Sequence, residues 1–138
     1  MIRRISLRAF VAATEDEERV KEALGIFAPR NGISSIKVRG HFGNEIEILE
    51  ANLHKKESRE FFRILKQQLP TSDLAKLQRE IEARLDDANQ FHFRLDKQAA
   101  YRRRVCLTES KDAIDVSVAV ETYPARREEA LRIMGDLL

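Results

Sequence analysis

The sequence predicts an α+β fold in one domain over residues 1–138: a mainly antiparallel sheet of about five or six strands, with helices packed on one face. Three observations predict it. Nearly every strand-like stretch alternates apolar and polar residues, so the sheet should have one dry and one wet face. Helix-period apolar stripes occupy separate blocks between those stretches. The blocks follow the order β-α-β-β-α-α-β-β-α, without a linker, repeat or low-complexity tract.

The first strand spans roughly Arg3 to Ala13, where Ile5, Leu7, Ala9 and Val11 alternate with Arg4, Ser6, Arg8 and Phe10. Thr14 and Glu17 have the spacing of a capping box and should open helix one. Val20, Ala23, Leu24 and Phe27 form its apolar stripe, and Pro29 and Gly32 end it. Strand two covers about Ile33 to Arg39, with Ile36 and Val38 expected inward and Lys37 and Arg39 outward. Strand three, Glu45 to His54, changes apolar phase between Ile48 and Leu49, which a bulge near Leu49 would explain. Helix two, about Lys56 to Leu69, should bury Phe61, Phe62, Leu65 and Leu69 before Pro70 stops it. Thr71 or Ser72 caps helix three, whose stripe is Leu74, Leu77, Ile81 and Leu85. A strand begins near Phe91, breaks at Asp96 to Tyr101, and restarts at Arg102. The last strand, Ala113 to Thr122, alternates most cleanly, and Pro124 suits the first turn of a closing helix.

Charge narrows the function. Charged residues make up 35% of the chain, above the ordinary share of about a quarter. Lys and Arg total 25 against 23 Asp and Glu, for a net +2, yet the distribution is uneven. Between Arg94 and Arg104, Arg94, Lys97, Arg102, Arg103 and Arg104 face only Asp96, whereas helix one opens with Glu15, Asp16, Glu17 and Glu18. A near-neutral total can hide a basic face, and a polyanion senses the face. The lone Cys106 allows no disulfide within the chain and no thiolate zinc cluster, in keeping with a cytoplasmic location. No signal-type segment or apolar run of about 18 residues occurs, so no membrane association is expected.

The connection from Asp96 to Arg104 is the first binding candidate. Lys97, Arg102, Arg103 and Arg104 could neutralise phosphates, Tyr101 could stack on an exposed base, and Gln98 could read a base edge or a 2′-hydroxyl. The same residues could instead form a local ion-pair and capping network, with Asp96 starting a helical turn and Ala99 and Ala100 packing. Strand parity puts Arg103 either at the sheet end or in a buried pair. The loop Gly40 to Asn44 is the second candidate: its glycines permit close approach to backbone amides, and His41 and Phe42 offer a donor and a stacking ring. That loop could equally be a tight connection with Phe42 plugging the core. Arg8, Lys37, Arg39 and Arg94 are expected along the wet face of the sheet, with Phe10 its one outward aromatic. Arg59, Arg63 and Lys66 make a basic stripe on helix two of the kind usually owed to solvation.

Catalysis has little support. His41, His54 and His92 lack metal-motif spacing, Cys106 has no evident base, and no serine occupies a nucleophile-type glycine turn. No cofactor is expected.

Three stretches in order carry a resemblance: Ala9-Phe10-Val11-Ala12-Ala13-Thr14-Glu15-Asp16-Glu17, Gly40-His41-Phe42-Gly43-Asn44 and Leu95-Asp96-Lys97-Gln98-Ala99-Ala100-Tyr101, with a closing Tyr123-Pro124-Ala125. Together they resemble an archaeal RNA-binding family often described as a predicted exosome subunit. That family is similar in fold to the large-subunit ribosomal protein that holds 5S RNA. The resemblance covers essentially the whole chain and implies an RNA partner, a link to exosome or ribosome components, and no catalytic role. Many members carry Pro where Glu45 stands here, a departure that concerns strand geometry. The resulting expectation is a non-catalytic RNA-binding accessory in RNA processing or degradation. The alternative is an interaction module or ribosome-associated adaptor whose basic patch docks an acidic protein. An exposed strand edge could also pair with a second copy as a homodimer.

Overall fold

A computed structural model of the chain describes residues 1–40, 43 and 45–138. Its strands are β1 (Ile2–Val11), β2 (Ile33–Arg39), β3 (Glu45–Leu53), β4 (Gln90–Asp96) and β5 (Ala113–Val120). They form one sheet in the order β2-β3-β1-β5-β4, and every neighbouring pair is antiparallel. The helices are α1 (Glu17–Leu24), α2 (Lys56–Gln68), α3 (Thr71–Arg79), α4 (Ile81–Arg84), α5 (Lys97–Tyr101) and α6 (Arg127–Leu137). The α+β architecture expected from alternation is therefore the one found.

Alternation decides which residues meet the helices. Ile5, Leu7 and Ala9 of β1, Leu49, Ala51 and Leu53 of β3, Phe91, Phe93 and Leu95 of β4, and Ile114, Val116 and Val118 of β5 are all buried. The helices add Leu24, Phe61, Leu65, Leu77 and Met134 to the same core, and the turn after α1 adds Phe27. Phe61 is at its centre, with ring centroids 5.8 Å from Phe27 and 6.3 Å from Phe93. Burying such a ring contributes about 1.5–3 kcal/mol relative to leaving it in water.

Three expectations need correction. First, β3 has no bulge at Leu49: its register runs unbroken from Leu53 to Glu47 on β1, and from Ala51 to Glu45 on β2. The register shift lies instead between Ile2 and Arg4, on β1 against β5. The phase change in β3 has another cause. Leu49, Ala51 and Leu53 enter the core, whereas Ile48 is paired with Phe10 and Ile36, and Ile46 with Val38, on the open face. Second, the parity of β2 is therefore reversed. Ile36 and Val38 lie on the open face, 43% and 41% exposed, and Lys37 and Arg39 lie on the opposite face beside Glu47 and Glu45. Short apolar runs on an edge strand do not announce which side is dry, because an edge strand is only half covered.

Third, no strand restarts at Arg102. The chain turns into α5, and only a single bridge, Leu107 to Leu95, rejoins the sheet. Smaller differences concern caps. Asp16, not Thr14, caps α1 by accepting from the Glu18 N–H at 3.0 Å. Pro124 precedes α6 rather than entering it, and Thr122 Oγ1 accepts from the Arg126 N–H at 2.8 Å.

Candidate nucleic-acid interface

The antiparallel order gathers several connections at one end of the sheet: the turn after β1, the segment leading into β5, and α5 after β4. The β2–β3 loop shares that end, but its His41 and Phe42, named as candidates above, lie outside the described residues.

The Asp96 to Arg104 segment is built as a tight hydrogen-bonded cap. Asp96 Oδ1 accepts from the Ala99 N–H at 2.9 Å and starts α5. At the other end the Ala99 carbonyl accepts from both Arg102 and Arg104 N–H at 2.9 Å, and the Ala100 carbonyl from Arg103 N–H at 3.0 Å. Arg103 adopts φ 57°, the left-handed conformation that closes a helix. The Asp96 N–H donates to the Cys106 carbonyl at 2.8 Å, and the Thr108 N–H to the Arg94 carbonyl at 3.0 Å, so the segment is pinned back to β4. The outcome is three consecutive exposed guanidinium groups on a fixed turn. Arg102, Arg103 and Arg104 have no ion-pair partner among the described residues. Arg103 is thus neither in a buried pair nor on a strand.

Beneath that turn the chemistry is internal. Lys97 is 1% exposed, and its ammonium donates to Glu15 Oε1 at 2.8 Å and to the Phe10 carbonyl at 2.9 Å, with Asp112 Oδ1 at 2.6 Å. The Tyr101 hydroxyl donates to Glu15 Oε2, and the Arg19 guanidinium sits 5.0 Å above the Tyr101 ring centroid. Burial works to raise the pKa of Glu15, but hydrogen bonds from Lys97 and Tyr101 outweigh it and hold the carboxyl below its ordinary value. Burial works to lower the pKa of Lys97, and its bonds to Asp112 and Glu15 more than offset that, so the ammonium is held above its ordinary value. For Tyr101, burial and the Glu15 bond act together to push the phenol up.

Two candidates already have partners within the fold. Lys97 cannot meet a phosphate without leaving its carboxylates, and one face of Tyr101 is already taken by Arg19. They form the capping and ion-pair network that the residue types equally allowed. Gln98 is exposed beside them, with no side-chain hydrogen bond among the described residues.

The open face behaves differently again. Arg94, Asp115, Arg8 and Glu50 lie side by side across β4, β5, β1 and β3. Arg94 Nε donates to Asp115 at 2.9 Å, and Arg8 to Glu50 at 3.1 Å. This is a cross-strand charge ladder that neutralises itself. The next row holds His92, whose Nδ1 is 2.9 Å from Ser117 Oγ and whose Nε2 is 2.7 Å from Asp86. Burial tends to raise the pKa of Asp86, but bonds from His92 and from the Gln90 and Ala88 amides keep the carboxyl below its ordinary value. A concavity of about 690 Å³ covers these rows, lined by Arg4, Arg8, Arg84 and Arg94 together with Glu50, Glu109 and Asp115. Arg8 and Arg94 do line the wet face, as alternation requires. Lys37 and Arg39 do not: Lys37 is 4.0 Å from Glu45 on the other side, and Arg39 is exposed at the end of the edge strand.

Arg19 escaped sequence reasoning because its partner ring is far away in the chain. Lys111 also escaped it; this exposed residue adjoins the Asp112 that holds Lys97. Among the described residues no group of three or more His, Cys, Asp or Glu is placed to hold a metal ion. No helix is long and apolar enough to cross a membrane among the described residues.

Comparison with known proteins gives a consistent result. A family model described as RNA binding matches residues 4–120. An RNA-binding protein of Pyrococcus abyssi is 32% identical over 141 aligned residues, covering 97% of this chain and 92% of that protein. A crystal structure from Archaeoglobus fulgidus superposes with TM-score 0.88 at 35% identity, over 100% of both chains. A structure from Methanothermobacter thermautotrophicus gives TM-score 0.82 at 34% identity, over 100% of this chain and 98% of the other.

Proposed function

Because the chain belongs to this RNA-binding family, we propose that it grips RNA by the sugar-phosphate backbone at the α5 turn, and that it does so without chemistry of its own. The observation that carries this reading is the contrast between two sets of arginines. Arg8 and Arg94 are already matched to Glu50 and Asp115. Arg102, Arg103 and Arg104 are exposed and unmatched among the described residues, on a backbone fixed by five hydrogen bonds from Asp96, Ala99, Arg102, Arg103 and Arg104 amides. An unmatched guanidinium neutralises a phosphate without first losing a partner, and a fixed backbone lowers the ordering cost. Gln98 stands beside them as the polar group for a base edge or a 2′-hydroxyl.

In this reading the protein is a cytoplasmic accessory to RNA processing or degradation, working with exosome or ribosome components. The resemblance set out from the sequence supports that role. Arg39, at the end of β2, is a second contact, with His41 and Phe42 retained as candidates from the sequence. Self-association would use the β2 edge, where Ile36 and Val38 are exposed.

The test is a salt titration. With single-stranded RNA, log affinity should fall against log salt by about 0.7 per phosphate neutralised. Arg102→Ala with Arg104→Ala should weaken binding and flatten the slope by about 1.4, whereas Arg8→Ala with Arg94→Ala should change it far less. Equal slopes for the parent and the Arg102/Arg104 variant would remove the turn from the interface.

A further inference from the structure

The basic stripe on α2, an ordinary solvated face in sequence terms, has a structural counterpart. The helix α6 packs on α4. Between α6 and α2 runs an open groove of about 1190 Å³. Its apolar lining comes from Ile2, Phe62, Ile133 and Leu137, and its basic lining from Lys55, Arg59, Arg63, Lys66 and Arg132. Asp136 is the one acid among the lining residues. The groove thus carries four more positive than negative side chains, in a chain whose net charge is only +2. Arg63 is held by Glu60 and Arg132 by both Glu129 and Asp136, but Lys55, Arg59 and Lys66 have no ion-pair partner among the described residues.

We propose that this groove docks a helical segment of a partner protein, apolar on one side and acidic on the other. An apolar floor with a basic rim is the complement of that surface. The 13 residues of α2 give a groove wall of about 20 Å, which accommodates three to four helical turns. RNA fits less well. Phe62 is only 5% exposed, so the floor offers no open aromatic face on which a base could stack. The groove is also remote from the α5 turn. Ile2 lines the groove and the Phe10 carbonyl holds Lys97, and these positions are separated by about 26 Å of extended strand. RNA at one end and a protein helix at the other would let one chain tether the two. This inference stands on the groove alone and survives if the α5 turn fails its own test.

The experiment uses the full chain and a fluorescent synthetic peptide of about 14 residues, with leucines on one helical face and glutamates on the other. Anisotropy should show saturable binding. Arg59→Glu with Lys66→Glu alters two exposed side chains outside the core and should weaken binding by at least about tenfold. The RNA salt slope should be unchanged in that variant. A control peptide of identical composition, with its leucines scattered around the helix, should also bind at least about tenfold more weakly. Absence of saturable binding, or equal binding of the scattered peptide, would overturn the proposal. Displacement of the peptide by an RNA oligomer that binds with the same Arg59 and Lys66 dependence would reassign the groove to RNA.

Discussion

Replacing Lys97 with methionine should damage the fold and leave RNA contacts alone. The side chain is 1% exposed and its ammonium meets Glu15, Asp112 and the Phe10 carbonyl within 2.9 Å. Methionine keeps the unbranched stem and removes the charge. Asp112 is 56% exposed and can turn to water, but Glu15 is 15% exposed and loses its main counter-charge. Breaking a buried pair by removing one partner costs about 3–5 kcal/mol, and the recovery of Asp112 places this case near the lower end, about 3 kcal/mol. With an unfolding entropy of about 2.1 cal/mol/K per residue, that loss lowers the Tm of a 138-residue chain by about 10 °C. Urea and thermal unfolding read both quantities. Adding Glu15→Gln to Lys97→Met should restore part of the loss, because the stranded carboxylate is gone. RNA affinity, measured well below the variant's Tm, should match the parent. Parental stability combined with weaker RNA binding would return Lys97 to the RNA surface and refute the reasoning.

Stability should also depend on pH through the same pair. Glu15 is held below its ordinary value near 4.5, so its contribution is present above that value and disappears as pH falls through the depressed folded pKa. Lys97 is held above 10.5, so its contribution is present below that value and disappears as pH rises through the folded pKa. Glu15→Gln should therefore flatten the acid limb of a Tm-against-pH curve, and curves of identical shape would discount the network. Reversed parity in β2 is checked by substitution: Ile36→Ser should cost under about 1 kcal/mol, whereas Leu49→Ala, fully buried on the adjacent strand, should cost about 2–5 kcal/mol in urea unfolding.

The sequence carried the fold well where both faces of a strand differ sharply. In β5, Ile114, Val116 and Val118 declare the dry side without ambiguity, and the structure buries each of them. It failed where apolar residues occupy both parities. Ile46 and Ile48 of β3, with Ile36 and Val38 of β2, form a small apolar patch with Phe10 on the open face, and a period-of-two rule reads any apolar residue as inward. The binding segment was legible as a cluster of basic residues, but not as a division of labour. Lys97 and the three arginines look alike in the linear chain. Only the fold brings Glu15 and Asp112 to the lysine and leaves Arg102, Arg103 and Arg104 facing solvent. The α2 groove was invisible because five of its lining residues come from α6 and β1.

Ultraviolet crosslinking of bound single-stranded RNA, with adducts mapped by mass spectrometry, tests the central claim most directly. RNA adducts concentrated between Gln98 and Lys111, and lost in the Arg102→Ala with Arg104→Ala variant, are the predicted result. Adducts confined to α2, or spread over the self-neutralised rows around Arg8 and Arg94, would contradict it.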